Sequence, residues 1–165
     1  MIRALVLADT HIRRGWHRKL PTAVYDALEH ADVILHAGDI CDGECLDELS
    51  GFAPVKAVFG NNDHELVGVL PERRVEVIEG VRIGMVHIPR ALEGRPGRMR
   101  DWFPEADIAI YGHSHLPENQ HYPEVGLTLF NPGSATERRR APGHTIGWIT
   151  FDDGQFTASV ESIDS

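Results

Sequence analysis

Two pairs of polar side chains, each pair separated by one residue, are the first sign of chemistry in this sequence. Asp9 and His11 follow the apolar segment IRALVLA, and His113 and His115 follow the apolar segment DIAIY. In extended backbone, residues i and i+2 point to the same side, so each pair could close on one ion. A carboxylate and three imidazoles suit a divalent transition metal, whereas Mg²⁺ and Ca²⁺ prefer oxygen ligands.

Three further apolar segments end in residues of the same kinds. Gly38 and Asp39 follow DVILHA, a Gly-Asn-Asn-Asp turn at 60–63 follows VKAVF, and His87 follows RIGMV. In open α/β sheets, ligands bind outside the carboxyl ends of the strands, so these endings can converge. Seven donors are too many for one tetrahedral zinc and suit two metal ions that share a carboxylate. The candidate ligands are Asp9, His11, Asp39, Asn61, His87, His113 and His115.

The segments that must position these residues alternate with helical patterns in the first part of the chain. Apolar, β-rich runs at 2–8, 32–37 and 55–60 are separated by predicted helices at 21–31 and 43–51. This β-α-β-α-β order is typical of a parallel sheet with helical crossovers. His36 lies inside the second run, so we expect a buried supporting residue there and not a ligand.

The remainder of the chain predicts shorter strands joined by turns. The predicted elements are two strands within 73–88 that meet at Glu79-Gly80, a weak helix at 94–106, a strand at 107–112, two strands within 120–134, and a hairpin at 144–163 that turns at Asp153-Gly154. Asp-Gly between alternating segments is a strong hairpin signal. We therefore expect a single α/β domain over residues 1–165, with a mixed sheet or a pair of sheets and the helices outside.

Composition limits the classes of function. The formal net charge is −9, with 16 Lys and Arg against 25 Asp and Glu, which argues against general nucleic-acid or membrane-surface binding. Only Cys41 and Cys45 are present, so there is no disulfide framework and a reducing compartment is expected. The sequence shows neither a signal peptide nor the roughly 20 apolar residues of a membrane span. These features predict a cytoplasmic protein, with homo-oligomerisation left open.

The ordered motifs resemble those of the calcineurin-like metallophosphoesterases. They are Asp9-x-His11, Gly38-Asp39, Gly60-Asn61-x-Asp63, His87 and Gly112-His113-x-His115, followed by Asn-Pro-Gly-Ser at 131–134. The likeness is greatest to the small single-domain bacterial and archaeal phosphodiesterases and covers residues 2 to about 150. It implies an α/β fold of the metallophosphoesterase type, a β-sandwich of two mixed sheets flanked by helices, with a dinuclear metal centre.

The same resemblance implies how the ligands divide. One metal would be held by Asp9, His11, Asp39 and His115, and the other by Asp39, Asn61, His87 and His113, so that Asp39 bridges them. The implied cofactors are two divalent transition-metal ions, with Mn²⁺ favoured and Fe, Ni, Co or Zn compatible with the donors. Asp39, Asn61 and His113 are also the expected catalytic residues.

Two positions are expected to contact substrate. Asn62 stands where many relatives carry a histidine that assists the leaving group, and Ile-Pro-Arg follows His87 where relatives often have Gly-His, so the leaving-group acid is undefined. Arg139 lies in the basic segment 137–143, which is either a solvated loop or a phosphate contact. A charge run of this kind favours the solvated loop, and the phosphate contact through Arg139 is the functional alternative, because arginine matches phosphate oxygens in a bidentate manner.

These residues lead to one leading hypothesis of function and two alternatives. Two metal ions roughly 3.5–4 Å apart can share a water and lower its pKa enough to give a bridging hydroxide near neutral pH. We therefore expect a metal-dependent phosphodiesterase acting on a small phosphoester. The alternatives are a phosphomonoesterase acting on nucleotides or proteins, and a non-catalytic metal-binding scaffold resembling the retromer subunit of this fold. The sequence carries no GxSxG or P-loop signature of another phosphate or acyl chemistry.

Overall fold

The computed structural model describes residues 1–12 and 19–164 of the chain. Within these residues, two mixed five-stranded β-sheets are flanked by three α-helices. This architecture confirms the predicted fold class, a β-sandwich of two mixed sheets with helices outside. The sheets belong to different parts of the sequence, except that the last two strands return to the first sheet.

The first sheet carries the β-α-β-α-β segment. Its strands, in spatial order, are β10 (Gln155–Ser162), β9 (Thr145–Asp152), β1 (Ile2–Leu7), β2 (Val33–His36) and β3 (Val55–Ala57). Strands β1, β2 and β3 are parallel, as predicted, and β9 is antiparallel to β1. Two helices, α1 (Thr22–Leu28) and α2 (Gly43–Ser50), lie in the connections between the parallel strands. The β9–β10 hairpin turns at Asp153-Gly154, as expected.

The second sheet is built from the middle of the chain. Its strands, in spatial order, are β4 (Arg73–Ile78), β5 (Val81–Val86), β6 (Ile108–Ile110), β8 (Leu127–Asn131) and β7 (Glu118–Tyr122). Strands β5, β6 and β8 are parallel, and β4 and β7 are antiparallel edges. The 3₁₀ helix His64–Leu66, which precedes β4, was not predicted.

The third helix, α3 (Arg95–Trp102), connects β5 to β6 and is shorter than the sequence predicted. It ends before Phe103, whose φ of −129° and ψ of 76° are not helical. Pro104 follows, and the residue before a proline is disfavoured in the helical region, so the helix stops there. Across the described ranges, no helix combines the length and the apolar character needed to cross a bilayer.

Three apolar layers hold the sandwich together. Alternate residues of β1 serve two of them: Val6 packs between the sheets with Ile83 of β5, whereas Leu5 packs on the outer face with Leu28 of α1. A strand covered on both faces has no polar side, which explains why IRALVLA is apolar throughout. The third layer lies between α3 and the outer face of the second sheet, around Phe103.

The contact between β5 and α3 gives a matched pair of glycine substitutions. A Cβ at Gly84 would lie 2.3 Å from Cγ of Phe103, whereas a Cβ at Gly97 in α3 would have nothing within 4 Å. We expect Gly84→Ala to lower the free energy of unfolding by about 1–3 kcal/mol through overpacking. Gly97→Ala should raise it by about 0.5–1 kcal/mol because alanine is the better helix former. Urea unfolding measures both, and a neutral Gly84→Ala would contradict the packing described.

Candidate metal centre

The carboxyl ends of strands from both sheets bring the predicted ligands into one buried cluster. Asp9 and His11 follow β1, Asp39 follows β2, His87 follows β5 and His115 follows β6. Oδ1 of Asp9 lies 3.8 Å from Nε2 of His11, 3.6 Å from Nε2 of His87 and 3.5 Å from Nε2 of His115. Oδ2 of Asp39 lies 3.5 Å from Nε2 of His11 and 3.2 Å from Nε2 of His87.

Four atoms at the centre of this cluster are buried without a hydrogen bond among the described residues. They are Oδ1 of Asp9 and the Nε2 atoms of His11, His87 and His115. Leaving a buried polar group unpaired costs about 1–3 kcal/mol, so four that face one another need a common partner. Together with Asp39, the residues that carry these atoms form two overlapping triads: Asp9 with His11 and His115, and Asp9 with Asp39 and His87. A cluster of imidazoles and carboxylates with inward-facing lone pairs fits divalent cations.

The outer nitrogens of the imidazoles are directed away from the cluster. Nδ1 of His87 lies 2.7 Å from the carbonyl oxygen of Ala37, and Nδ1 of His115 donates to the carbonyl oxygen of Glu137. Nδ1 of His11 lies 3.7 Å from the sulfur of Cys41. Such outer partners fix the ring orientation and the tautomer of metal-binding histidines. The rings are therefore held with Nε2 facing inward.

Hydrogen bonds and charges also fix the two carboxylates. Asp39 accepts from the backbone N of Asn62 at 2.8 Å and from its Nδ2 at 2.9 Å, and Oδ2 of Asp9 accepts from the backbone N of His113 at 3.0 Å. Burial alone would raise the pKa of Asp39, but His87 and Asn62 outweigh it and lower the pKa to about 2. The pKa of Asp9 is lowered in the same way, against its burial, by the surrounding histidines. Burial opposes protonation of His87, yet the two carboxylates raise its pKa.

Asp63, which the sequence analysis named only as the last residue of a motif, is a supporting residue of the cluster. Its carboxylate accepts from the backbone N of Asp39 at 2.9 Å, of Cys41 at 2.6 Å and of Gly60 at 2.7 Å. Burial is the largest influence on this carboxyl and raises its pKa. Asp63 thereby ties the loop after β2 to the loop after β3. The only sequence signal was its place in the Gly-Asn-Asn-Asp turn, where an acidic residue usually caps its own turn.

A second missed element comes from the segment after β8. The hydroxyl of Ser134 donates to the carbonyl oxygen of Asp9 at 2.7 Å, and the hydroxyl of Thr136 donates to that of Thr10 at 2.7 Å. Oε2 of Glu137 lies 3.9 Å from Nε2 of His11. The signal was the Asn-Pro-Gly-Ser sequence at 131–134, but the sequence alone did not tell which strand end it would meet.

The prediction that each polar pair sits on extended backbone is wrong. Five of the candidate ligands have left-handed backbone, with φ of 54° at Asp9, 48° at His11, 58° at Asp39, 79° at His113 and 64° at His115. Each such residue costs of order 1–3 kcal/mol unless its surroundings hold it. The loops must turn this sharply because the ligands have to point back over the ends of the strands.

The left-handed turns also separate the two histidines of the second pair. The ring of His115 lies beside that of His11, with 5.2 Å between centroids, and the ring of His113 lies beside that of His87 at 5.3 Å. His115 is fully buried, whereas the ring of His113 is partly exposed. The two imidazoles therefore face different sides of the cluster. This is the division expected if each serves a different ion.

The other predicted site residues lie at the rim. Asn61 is exposed and lines a cleft together with His87. Arg139 is exposed, and its Nε lies 3.7 Å from Oε1 of Glu137. Asn62 is half-buried against Asp39. The structure thus brings five of the candidate ligands into the cluster and places the substrate-contact candidates around its opening.

His36 is the buried supporting residue that the sequence predicted. Its Nδ1 accepts from the backbone N of Gly38 at 3.2 Å, and its Nε2 lies 3.0 Å from Oγ1 of Thr10. The ring is fully buried, and burial lowers its pKa to about 3. A neutral His36 thus joins the turn after β2 to the loop after β1.

The fold and the ligand cluster together define a metallophosphoesterase-type protein. The chain belongs to the calcineurin-like phosphoesterase superfamily, whose domain matches residues 2–154. It is 37% identical over 136 residues to a probable metallophosphoesterase of Methanothermobacter thermautotrophicus, a match that covers 81% of this chain and 77% of the archaeal protein. The family resemblance is confirmed, and membership implies divalent metal ions and suggests a phosphoester hydrolase.

Solved structures of low sequence identity share the fold. Vps29 of Entamoeba histolytica in complex with Zn²⁺ matches with a TM-score of 0.77 and 24% identity over 99% of this chain and 100% of that one. A protein described as a novel archaeal phosphodiesterase matches with a TM-score of 0.72 and 18% identity over 97% and 100% of the two chains. At these identities the likeness establishes the architecture alone.

The buried neutral His36 should make stability depend on pH. Its pKa is about 3 in the folded protein and near 6.5 in the unfolded chain, so between these values only the unfolded state binds the proton. The stability that the folded protein has with a neutral His36 is fully present above pH 6.5 and is lost as the pH falls toward 3. Relative to His36→Gln, the wild type should lose about 2 kcal/mol of unfolding free energy between pH 7 and pH 5 in urea titrations. Parallel pH profiles for the two proteins would contradict this assignment.

Proposed function

We propose that this chain is a metal-dependent phosphodiesterase that hydrolyses small phosphodiesters at a dinuclear centre. The observation that carries the proposal is the group of four buried ligand atoms without hydrogen bonds, on Asp9, His11, His87 and His115. Buried polar atoms in a purely structural core almost always have a hydrogen-bond partner, so four that face one another without one indicate a bound group. Membership of the calcineurin-like phosphoesterase superfamily supports the same chemistry.

The proposed ligands are the seven residues that end the strands. Asp9, His11, Asp39 and His115 would hold one ion, and Asp39, Asn61, His87 and His113 the other. Asp39 is proposed as the shared ligand, and its Oδ2 lies within 3.5 Å of both His11 and His87. Asp9 also belongs to both triads, so this second carboxylate adds negative charge between the two positions. Mn²⁺ is the proposed metal, and the mixed N and O donors also suit Fe, Co, Ni and Zn.

Bound divalent cations would supply Lewis-acid charge to the phosphoryl group and a nucleophile from water near neutral pH. The protein contributes the positioning. Asn62 uses one Nδ2 hydrogen and its backbone N–H to hold Asp39, and the second Nδ2 hydrogen can donate to a phosphoryl oxygen. The partly exposed ring of His113 and the exposed Asn61 are the ligands that a substrate can reach directly.

Arg139 is the proposed anchor for a phosphoryl oxygen. It is exposed, has left-handed backbone with φ of 48°, and pairs loosely with Glu137 at 3.7 Å. Glu137 in turn presents its carbonyl oxygen to His115 and its carboxylate to His11. The arginine therefore projects from a segment that is fixed to the metal ligands. A guanidinium in this position matches two phosphate oxygens.

Metal binding is the first test. We expect two Mn²⁺ ions per chain, within about 4 Å of each other and beside Asp39. Anomalous diffraction from Mn²⁺-soaked crystals measures their number and position, and elemental analysis gives the stoichiometry. His115→Ala should lower the metal content, whereas His121→Ala, which removes a histidine from the edge strand β7, should not. A single anomalous peak, or peaks remote from Asp39, would refute the dinuclear centre.

Turnover is the second test. We expect the Mn²⁺-loaded protein to hydrolyse bis(p-nitrophenyl) phosphate faster than p-nitrophenyl phosphate, and to lose activity when a chelator removes the metal. Asp39→Ala and His113→Ala should each reduce kcat/KM at least about 100-fold while circular dichroism stays unchanged. His30→Ala, at an exposed position after α1, is the matched control. Preference for the monoester would indicate a phosphomonoesterase, and stoichiometric metal without any hydrolysis would indicate a scaffold.

A further inference from the structure

A cleft of about 410 Å³ opens directly beside the metal centre. His87 and Asn61 line one side of it, and Phe59, Arg73, Arg90 and Trp102 line the rest. Small-molecule sites usually have volumes of roughly 300–1,000 Å³ and combine apolar walls with a few polar groups. The cleft therefore has the size and the position to hold the part of a phosphoester that is not the reacting phosphate.

The walls of the cleft are aromatic and cationic. The guanidinium of Arg73 lies over the ring of Trp102, 4.3 Å from its centre, so the two groups form a cation–π stack at the edge of the cleft. Ile88 adds an aliphatic side chain that is 38% exposed. A planar ring can extend such a stack, because aromatic and guanidinium surfaces stack on π systems.

The loop that carries Arg90 is held in place by α3. Nη1 of Arg98 donates to the carbonyl oxygens of Pro89 at 2.8 Å and Ala91 at 2.9 Å, and Nη2 of Arg95 donates to that of Arg90 at 2.6 Å. Arg90 itself has left-handed backbone, with φ of 64°. Two arginines of one helix thus fix a strained turn whose side chain lines the cleft.

Charge distinguishes the cleft from the rest of the molecule. Arg73 and Arg90 outnumber Glu72 among the charged residues that line it, in a chain whose net charge is −9. An anionic ligand with a planar ring is therefore favoured here over a neutral or cationic one. A lipid chain would leave the arginines unpaired, and a sugar alone would not use the aromatic wall.

We propose that this cleft binds the nucleoside part of a phosphoester substrate. The base extends the stack formed by Arg73 and Trp102, and Arg90 donates to the polar edge of the base. The proposal rests on the proposed function, in that the phosphate attached to this nucleoside lies at the metal centre. Trp102 and Arg90 are then specificity-determining residues, since they contact only the part of the substrate that differs between esters.

The test compares two anions that share a phosphate and differ in the base. We expect Mn²⁺-loaded protein to bind thymidine 5′-monophosphate about 5- to 100-fold more tightly than methyl phosphate in calorimetric titrations. Trp102→Ala and Arg90→Ala should each move the ratio of these two affinities toward one. Arg82→Ala, which removes an exposed arginine at the opposite end of β5 from His87, should leave the ratio unchanged. Arg90→Ala keeps the test decisive if Trp102→Ala does not fold.

A ratio near one in the wild type would overturn the proposal, as would a high ratio that neither variant lowers. Thymidine, which lacks the phosphate, is titrated in parallel because its binding does not require the metal ions. Weaker thymidine binding by both variants supports the cleft even in a protein that hydrolyses no phosphoester, a result that would contradict only the proposed function. Hydrolysis of diesters by a protein with a ratio near one would contradict only the cleft.

Discussion

The structure depends on a balance of charge between two buried carboxylates and three buried imidazoles. Buried charges are stable only when paired, and Asp9 and Asp39 have the histidines as their partners. The lowered pKa values of both carboxyls express this pairing. The pairing is incomplete, however, because Oδ1 of Asp9 and the three Nε2 atoms make no hydrogen bonds among the described residues. A β-sandwich in which strand ends from both sheets meet can hold such a group, since its loops are anchored to rigid strands.

The hydrogen bonds around the cluster oppose the strain of its loops. Left-handed residues and inward-facing rings would relax if nothing held them, and the outer partners prevent this. Asp63 holds the loop after β2, Ser134 and Thr136 hold the loop after β1, and Glu137 holds His115. None of these residues supplies a ligand atom of the triads. Each of them instead holds in place a loop or a ring that carries such an atom. The cluster is therefore a property of the segments after six strands together and not of any single motif.

Much of this could be predicted from the sequence, because the signals were local. The alternation of strand and helix patterns at the start of the chain predicted the parallel strands, and Asp153-Gly154 predicted the last hairpin, since both follow from short-range patterns. Residue type and strand ends pointed to Asp9, Asp39 and His87, which the structure brings together. The roles of Asp63 and Ser134 were missed because they depend on contacts across the fold: the bond from Ser134 to Asp9 spans 125 positions. The backbone of the ligand pairs was mistaken for the same reason, since packing and not local preference imposes the left-handed turns.

Strand β1 lies between β2 and β9, and its second neighbour is encoded more than a hundred residues later. At a synthesis rate of about 5–20 residues per second, β1 remains without β9 for roughly 7 to 30 s after it leaves the ribosome. During that time its free edge and its apolar faces can pair with other chains. Nascent chains that pause before residue 145 therefore carry an exposed central strand. The same architecture that holds Asp9 at the end of a central strand therefore leaves β1 open to aggregation during biosynthesis.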